Sequence, residues 1–452
     1  MRGNNNIGFM AICLLSRLLA GLAFVLCLLS LSWSQITWVK DTLHNPVLVG
    51  GQPGTWDYHV FMPYVLYDAQ TSTYEMWYDA SYGYPHWRPY WIGYATSSDG
   101  ITWNKLDTAV FKPTPGSWDE SSTEGQYIIK EDGIYKMWYS AAGPIHPVSA
   151  IGYATSMDGI VWSKRQDPVL EADTALWEAG GVRYCSVLPD SGGYKMWYSG
   201  LNLSEIANIG YATSPDGINW VKYENNPVLS VGSPTEWDGN KLLIPKVILL
   251  DSVYHLYYSG HSLIYNQRET GYAWSEDCIN WTKYDDSSTV SAPYAESDPI
   301  IHYSSVQWDG GAVGPGNPIL IGDSLHMWYE GNRFPTTTYP WLIGHATCYY
   351  ESPLSRIGIT AEIQPTGFEL FQNYPNPFNP RTTISWQLAV DSYVQLKIYN
   401  INGEEVATLL SAFLHSGFHS VEWDASDVAS GVYLYRLEAG GYVETKKMVL
   451  MK

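Results

Sequence analysis

One sequence unit recurs five times in this chain, and that recurrence limits the fold more than any other feature. A Trp-acid pair opens each copy: Trp56-Asp57, Trp118-Asp119, Trp177-Glu178, Trp237-Asp238 and Trp308-Asp309. The steps between pairs are 62, 59, 60 and 71 residues. Each pair is followed by a strand of one type: YEMWYDA from Tyr74, YKMWYSA from Tyr135, YKMWYSG from Tyr194, YHLYYSG from Tyr254 and LHMWYEG from Leu325. IGYATS comes next, from Ile92, Ile151 and Ile209, with weaker forms from Thr270 and Ile343. Four copies then run through a turn into a last strand: DGITWNK at Asp99, DGIVWSK at Asp158, DGINWVK at Asp216 and DCINWTK at Asp277.

The alternation in YKMWYS is that of a strand, with Tyr135, Met137 and Tyr139 on one face and Lys136 and Trp138 on the other. Asp-Gly is a tight-turn signal, because Gly tolerates positive φ and Asp caps the turn. Each unit therefore reads as four short antiparallel strands. One such sheet buries too little surface alone, whereas five packed face to face around an axis bury both faces of each. The fifth copy lacks the final strand. Ile36-Thr37-Trp38-Val39-Lys40 with Asn45-Pro46-Val47-Leu48 matches Ile218-Asn219-Trp220-Val221-Lys222 with Asn226-Pro227-Val228-Leu229. The start of the chain is thus expected to supply the outer strand of the last blade, which removes an open sheet edge.

Length and composition agree with this reading. A chain of 452 residues suits two or three domains. With 21 Trp, 36 Tyr and only 15% charged residues, it resembles many short strands rather than long helices. The net charge of −20 repels phosphate backbones, so nucleic acid is not an expected partner. Arg2 and Arg17 precede an apolar run from Leu18 to Leu31, and Ser32-Trp33-Ser34 offers a cleavage site. Residues 1–34 are read as a signal peptide, with an uncleaved anchor as the alternative. Cys13 and Cys27 leave with it. Cys185, Cys278 and Cys348 follow no disulfide or zinc spacing and read as buried small apolar residues.

The expected fold class is all-β: a five-bladed β-propeller over residues 35–350, a linker over 351–366 and a small immunoglobulin-like β-sandwich over 367–452. In the propeller, the start of each first strand and the loop between second and third strands share one face. In the first repeat that loop crowds Tyr82, Tyr84, His86, Trp87, Arg88, Tyr90 and Trp91, and the fifth repeat adds Tyr339 and Trp341. Aromatic rings beside carboxylates suit a sugar, which stacks its C–H face and hydrogen-bonds its hydroxyls. The alternative is that these rings pack the loop onto the blade. His59, Trp87, Arg88, Tyr90, Arg183 and Trp341 form the candidate substrate-binding set. Asp57, Glu178 and Asp238 are candidate catalytic carboxylates from the Trp-acid pairs; the competing reading is that the repeated acid caps a turn or pairs within its blade. Carboxylates facing each other across an axis raise one another's pKa, which is how acid and base roles separate.

IGYATS-x-DGI-x-W-x-K followed by NPVL resembles the blade repeat of the five-bladed propeller glycosidases over residues 36–350. These are the family 43 enzymes, the invertase-like enzymes and the mannoside phosphorylases. The resemblance implies three carboxylates, one of them a general acid in a Glu-Gly motif. Thr123-Glu124-Gly125-Gln126-Tyr127 resembles that motif, with Gln126 where the family has Pro. Glu124 also departs from its own repeat, whose other copies carry Arg183, Leu243 and Gly314. The Asp-Pro that the family places one blade earlier is Met62-Pro63 here, and Asp57 is a substitute candidate.

From Phe368 the chain changes character, with strands separated by Asn-Gly, Ser-Gly and Gly-Gly turns. Asn373-Tyr374-Pro375-Asn376-Pro377-Phe378-Asn379-Pro380 and Ser430-Gly431-Val432-Tyr433 resemble the C-terminal sorting domain of type IX secretion substrates. That implies export across the outer membrane through the secretion machinery, to the surface or beyond; the alternative is an immunoglobulin-like spacer. The expectation is therefore a secreted, monomeric carbohydrate-active protein, a glycoside hydrolase on plant or microbial glycans or a noncatalytic glycan-binding propeller. No cofactor motif is visible, and a structural divalent cation on the axis stays open.

Overall fold

The computed structural model describes residues 37–83, 88–144, 146–173, 177–304, 307–333, 339–350, 368–370, 373, 376–388, 392–414 and 417–451. The expected signal peptide and linker lie outside these residues, as do Tyr84, His86 and Trp87. Every regular element among the described residues is a strand. Contacts divide the chain into two compact units, Met1–Tyr350 and Glu351–Lys452.

The first unit is a set of five antiparallel meanders. β1 (Val39–Lys40) stands apart at the start of the chain. The first meander is β2 (His59–Asp68), β3 (Thr73–Ser81), β4 (Trp91–Ser97) and β5 (Asn104–Lys105). The second is β6 (Ser122–Glu131), β7 (Ile134–Gly143), β8 (His146–Ser156) and β9 (Trp162–Lys164). The third is β10 (Gly181–Asp190), β11 (Gly193–Leu201), β12 (Ala207–Ser214) and β13 (Val221–Lys222). The fourth is β14 (Lys241–Leu250), β15 (Val253–Ser262), β16 (Gln267–Ser275) and β17 (Thr282–Lys283), edged by β18 (Pro299–Ile301). In the fifth the inner strand is split into β19 (Ala312–Gly314) and β20 (Pro318–Ile321), followed by β21 (Ser324–Asn332) and β22 (Leu342–Tyr349). β1 completes it, pairing Val39 with Thr347 and Lys40 with Ala346, as Val221 and Lys222 pair with Thr213 and Ala212 in the third.

Turn chemistry fixes each meander. Asp99 Oδ1 accepts the backbone N–H groups of Ile101 and Thr102 at 2.8 and 2.7 Å, and Ser97 Oγ accepts that of Gly100 at 2.8 Å. The same bonds recur at Asp158 and Asp216. Gly159 holds φ 74° there, and Cys278 adopts φ 75° at the equivalent place in the fourth meander.

Tryptophans then link the sheets. The indole N–H of Trp77 donates to the Gly159 carbonyl at 2.8 Å, that of Trp138 to Gly217 at 2.8 Å and that of Trp197 to Cys278 at 3.1 Å. Trp328 of the fifth meander donates to Gly100 of the first at 2.7 Å, so the order closes on itself. In the fourth meander Tyr257 replaces the Trp and packs edge-on against Trp38 at 5.7 Å. Both faces of the second strands are consequently buried: Met137, Trp138 and Tyr139 are fully enclosed. The innermost strands β2, β6, β10, β14 and β20 contact one another in turn around the centre. Four inner strands carry a bulge, with left-handed φ at Met62, Gly125, Tyr184 and Ile244. The three cysteines are free and buried, as expected.

The second unit is a two-sheet sandwich. β23 (Glu369–Leu370), β24 (Arg381–Leu388) and β27 (Gly417–Asp424) form one sheet. The other has the order β26 (Glu405–Leu414), β25 (Ser392–Asn400), β28 (Gly431–Ala439) and β29 (Tyr442–Leu450). Alternating residues Val394, Leu396, Ile398, Tyr435 and Leu437 bury its core.

Candidate active site

The acids of the Trp-acid pairs serve the blades. Asp57 meets Lys105 Nζ at 2.7 Å, Asp119 meets Lys164 at 2.6 Å and Asp238 meets Lys283 at 2.6 Å. Glu178 is ion-paired to Lys222 and Asp309 to Lys40. In each case the lysine comes from the outermost strand of the same meander. A second-strand tyrosine joins the pair in several copies: the hydroxyls of Tyr198, Tyr258 and Tyr329 donate to Glu178, Asp238 and Asp309 at 2.9, 3.2 and 3.2 Å. Asp57, Glu178 and Asp238 are thus ion-paired within their own blades, and the carboxylates nearest the axis are other residues.

Register identifies those residues. At the inner-strand position before the bulge stand Phe61, Glu124, Arg183, Leu243 and Gly314, opposite Asp79, Ser140, Ser199, Ser259 and Glu330 on the second strands. Three copies need only a serine at the second position, so the acids Asp79 and Glu330 are departures of the same kind as Glu124. Both are fully buried, and Glu124 is 5% exposed. Each acid ties one blade to the next: Asp79 Oδ2 accepts the Gly125 N–H at 2.8 Å, and Glu330 Oε2 accepts the Met62 N–H at 2.9 Å. Asp79 Oδ1 has no hydrogen-bond partner. Glu330 Oε1 is ion-paired to Arg268. The Tyr184 hydroxyl donates to Glu124 Oε2 at 3.2 Å. Gly125 makes room for this, since a Cβ there would overlap the Tyr184 ring.

Burial pushes the Glu124 carboxyl up, against the pull of Arg183, Arg88 and the Tyr184 hydroxyl. Burial raises Asp79 well above the usual carboxylate range; the Glu124 charge adds to this, the Gly125 N–H opposes it, and Glu330 and Lys246 act in opposite directions.

The predicted binding residues divide into two groups. Arg88, Tyr90 and Arg183 interact with Glu124, and Trp341 packs on Arg268, the partner of Glu330. The Arg88 guanidinium lies 5.7 Å from the Tyr90 ring, and Arg268 lies 5.0 Å from the Trp341 ring. Arg183 Nε donates to Ser149 Oγ at 2.9 Å. Tyr90 stands edge-on to Phe61 at 5.5 Å. His59 instead is a brace: its Nδ1 accepts the Trp341 N–H at 3.0 Å, and burial lowers its pKa to about 4, so the ring is neutral. Trp87 lies outside the described residues. Among the described residues no group of three or more His, Cys, Asp or Glu has the geometry of a metal site. Below the carboxylates the axis carries a cation, Lys246, over the rings of Tyr64 and Tyr127 at 5.4 and 5.7 Å.

The fold is that of the propeller-type glycoside hydrolases, joined to a C-terminal sorting domain. Residues 372–451 match the secretion system C-terminal sorting domain, which indicates type IX export to the cell surface or the medium. Among solved structures, a beta-1,2-mannobiose phosphorylase from Listeria innocua superposes with a TM-score of 0.54 at 14% identity, covering 73% of this chain and 99% of that one. A thermostable family-43 glycoside hydrolase gives a TM-score of 0.51 at 21% identity, covering 69% and 94%. In sequence, the uncharacterised protein Rv1502 of Mycobacterium tuberculosis is 33% identical over 142 residues, 30% of this chain and 45% of the relative. The chain thus spans less than half the length of that relative.

Proposed function

We propose that the propeller is an exported carbohydrate-active enzyme that cleaves a glycosidic bond at the mouth of its axis, with Glu124 as general acid. The observation that carries this reading is the gathering of Glu124, Asp79 and Glu330 at positions where the repeat itself asks for no carboxylate. Burial favours the protonated form of Glu124, which can give its proton to the departing oxygen. Glu330, ion-paired to Arg268, is the base candidate that would draw a proton from the attacking water. Asp79 sits between them and tunes both. Tyr90 and Trp341 offer ring faces to a sugar. In an inverting reaction the acid and base carboxyls stand roughly 6.5–9.5 Å apart.

A second reading rests on Arg88, Arg183 and Arg268. Three guanidiniums beside the acid suit a phosphate nucleophile in place of water, because the planar fork matches its oxygens. The test is a panel of plant and microbial glycans assayed for reducing ends, with and without inorganic phosphate. Release that Glu124→Gln abolishes supports hydrolysis, and a sugar 1-phosphate formed only with phosphate selects phosphorolysis. Binding without turnover in the unaltered protein would leave a noncatalytic glycan-binding propeller.

A further inference from the structure

Lys246 has no role in the reading above, and its position calls for one. It follows the bulge on β14, where the other inner strands carry Tyr64, Tyr127, Ser186 and Asn317. It is thus a fourth departure from the repeat, at the level below Glu124. Only 2% of it is exposed, yet no carboxylate among the described residues lies within ion-pair distance of its ammonium. Tyr64 and Tyr127 present their ring faces to it, which stabilises a desolvated cation. The groups that act on it are Cys185 of β10, Asp79 of β3 and Glu330 of β21, together with those two tyrosines of β2 and β6. Asp79 and Glu330 accept the Gly125 and Met62 N–H groups, two residues before Tyr127 and Tyr64 on the strands whose rings hold Lys246.

We propose that Lys246 is a positioning residue, a buried counter-charge shared by Asp79 and Glu330. The physics is simple. Two buried carboxyls near a third, Glu124, repel one another when ionised, and a cation beside them offsets that repulsion. A cation caged at the axis keeps negative charge at the base while leaving Glu124, which faces the arginines at the mouth, as the proton donor. Aromatic faces suit this task better than a direct ion pair, because they hold the ammonium without neutralising it. This builds on the proposed catalytic reading, but the coupling can be tested without any glycan.

The experiment is carbon NMR of the full chain labelled at lysine Cε, titrated from pH 6 to 11. Burial lowers the Lys246 pKa to about 8, apart from ordinary lysines, and Lys246→Arg identifies its signal by removing it. Asp79→Asn keeps an oxygen for the Gly125 N–H, and Glu330→Gln keeps one for the Met62 N–H, so both variants preserve the interblade bonds. Each should lower the Lys246 midpoint, since both acids favour the ammonium. An unchanged midpoint in both variants overturns the proposal. A loss of glycan cleavage in Glu124→Gln tests only the catalytic reading, so the two can fail separately. A second measurement covers folding. Lys246→Met should lose the rise in stability that the unaltered protein shows from pH 8 to 10.5, where the unfolded chain binds the extra proton. A rise of the same size in Lys246→Met rejects Lys246 as the buried titrating cation.

Discussion

Glu124 shows how a buried carboxyl can cost stability. Its folded pKa is raised, so the native state binds the proton more tightly than the unfolded chain does. The stabilising effect of that proton is complete below the unfolded value and is lost as pH rises through the folded one. Glu124→Gln should therefore raise the melting temperature at pH 7, by about 2 °C or more, with the gain vanishing below about pH 4. A melting curve series from pH 3 to 8 on both proteins checks the sign. The same residue was legible in the sequence because it breaks its repeat. Asp79 and Glu330 carried the same signal: the second strands end in WYD, WYS, WYS, YYS and WYE. Both lie on second strands, whereas the Glu-Gly motif lies on an inner strand. The acid of each Trp-acid pair behaves differently. It obeys the repeat, and so does the lysine of W-x-K that neutralises it.

Elements were readable almost throughout, since strand alternation and Asp-Gly turns are local properties. The turn is demanding as well as local. Gly159 combines φ 74° with an indole edge, and an added Cβ would sit 2.8 Å from Trp77 Cζ2. Gly159→Ala should cost about 1–2 kcal/mol from the backbone alone, read as a lower denaturant midpoint. The fourth turn already holds Cys278 at φ 75°, so Cys278→Ala should leave that backbone cost unchanged. The turn aspartates add a pH signature. Backbone N–H groups of Thr102 and Ile101 pull the Asp99 pKa down to about 2, and Asp158, Asp216 and Asp277 are lowered in the same way. A depressed folded pKa gives stability that is present above the unfolded value near 3.8 and lost as pH falls through the folded one. The melting temperature should fall between pH 4 and pH 2, and asparagine at all four positions should flatten that decline.

At the scale of the molecule, closure depends on the two ends of the propeller chain meeting. Lys40 reaches the fully buried Asp309 at 2.5 Å and completes the fifth acid–lysine pair. Lys40→Met leaves that carboxylate without its cation and should cost about 3 kcal/mol, measured by denaturant unfolding. An unchanged midpoint would show that the ring does not depend on its first strand. The sequence by itself determined the repeat, the strands, the turns, the return of the first strand to the last blade and the secretion tail. All of these are written in spacing and alternation along the chain. Only the tertiary structure decided which acids meet at the axis. Asp79, Glu124, Lys246 and Glu330 are scattered over most of the propeller sequence. They share a centre because the ring brings equivalent levels of different blades together, and no local pattern encodes which charges then face one another.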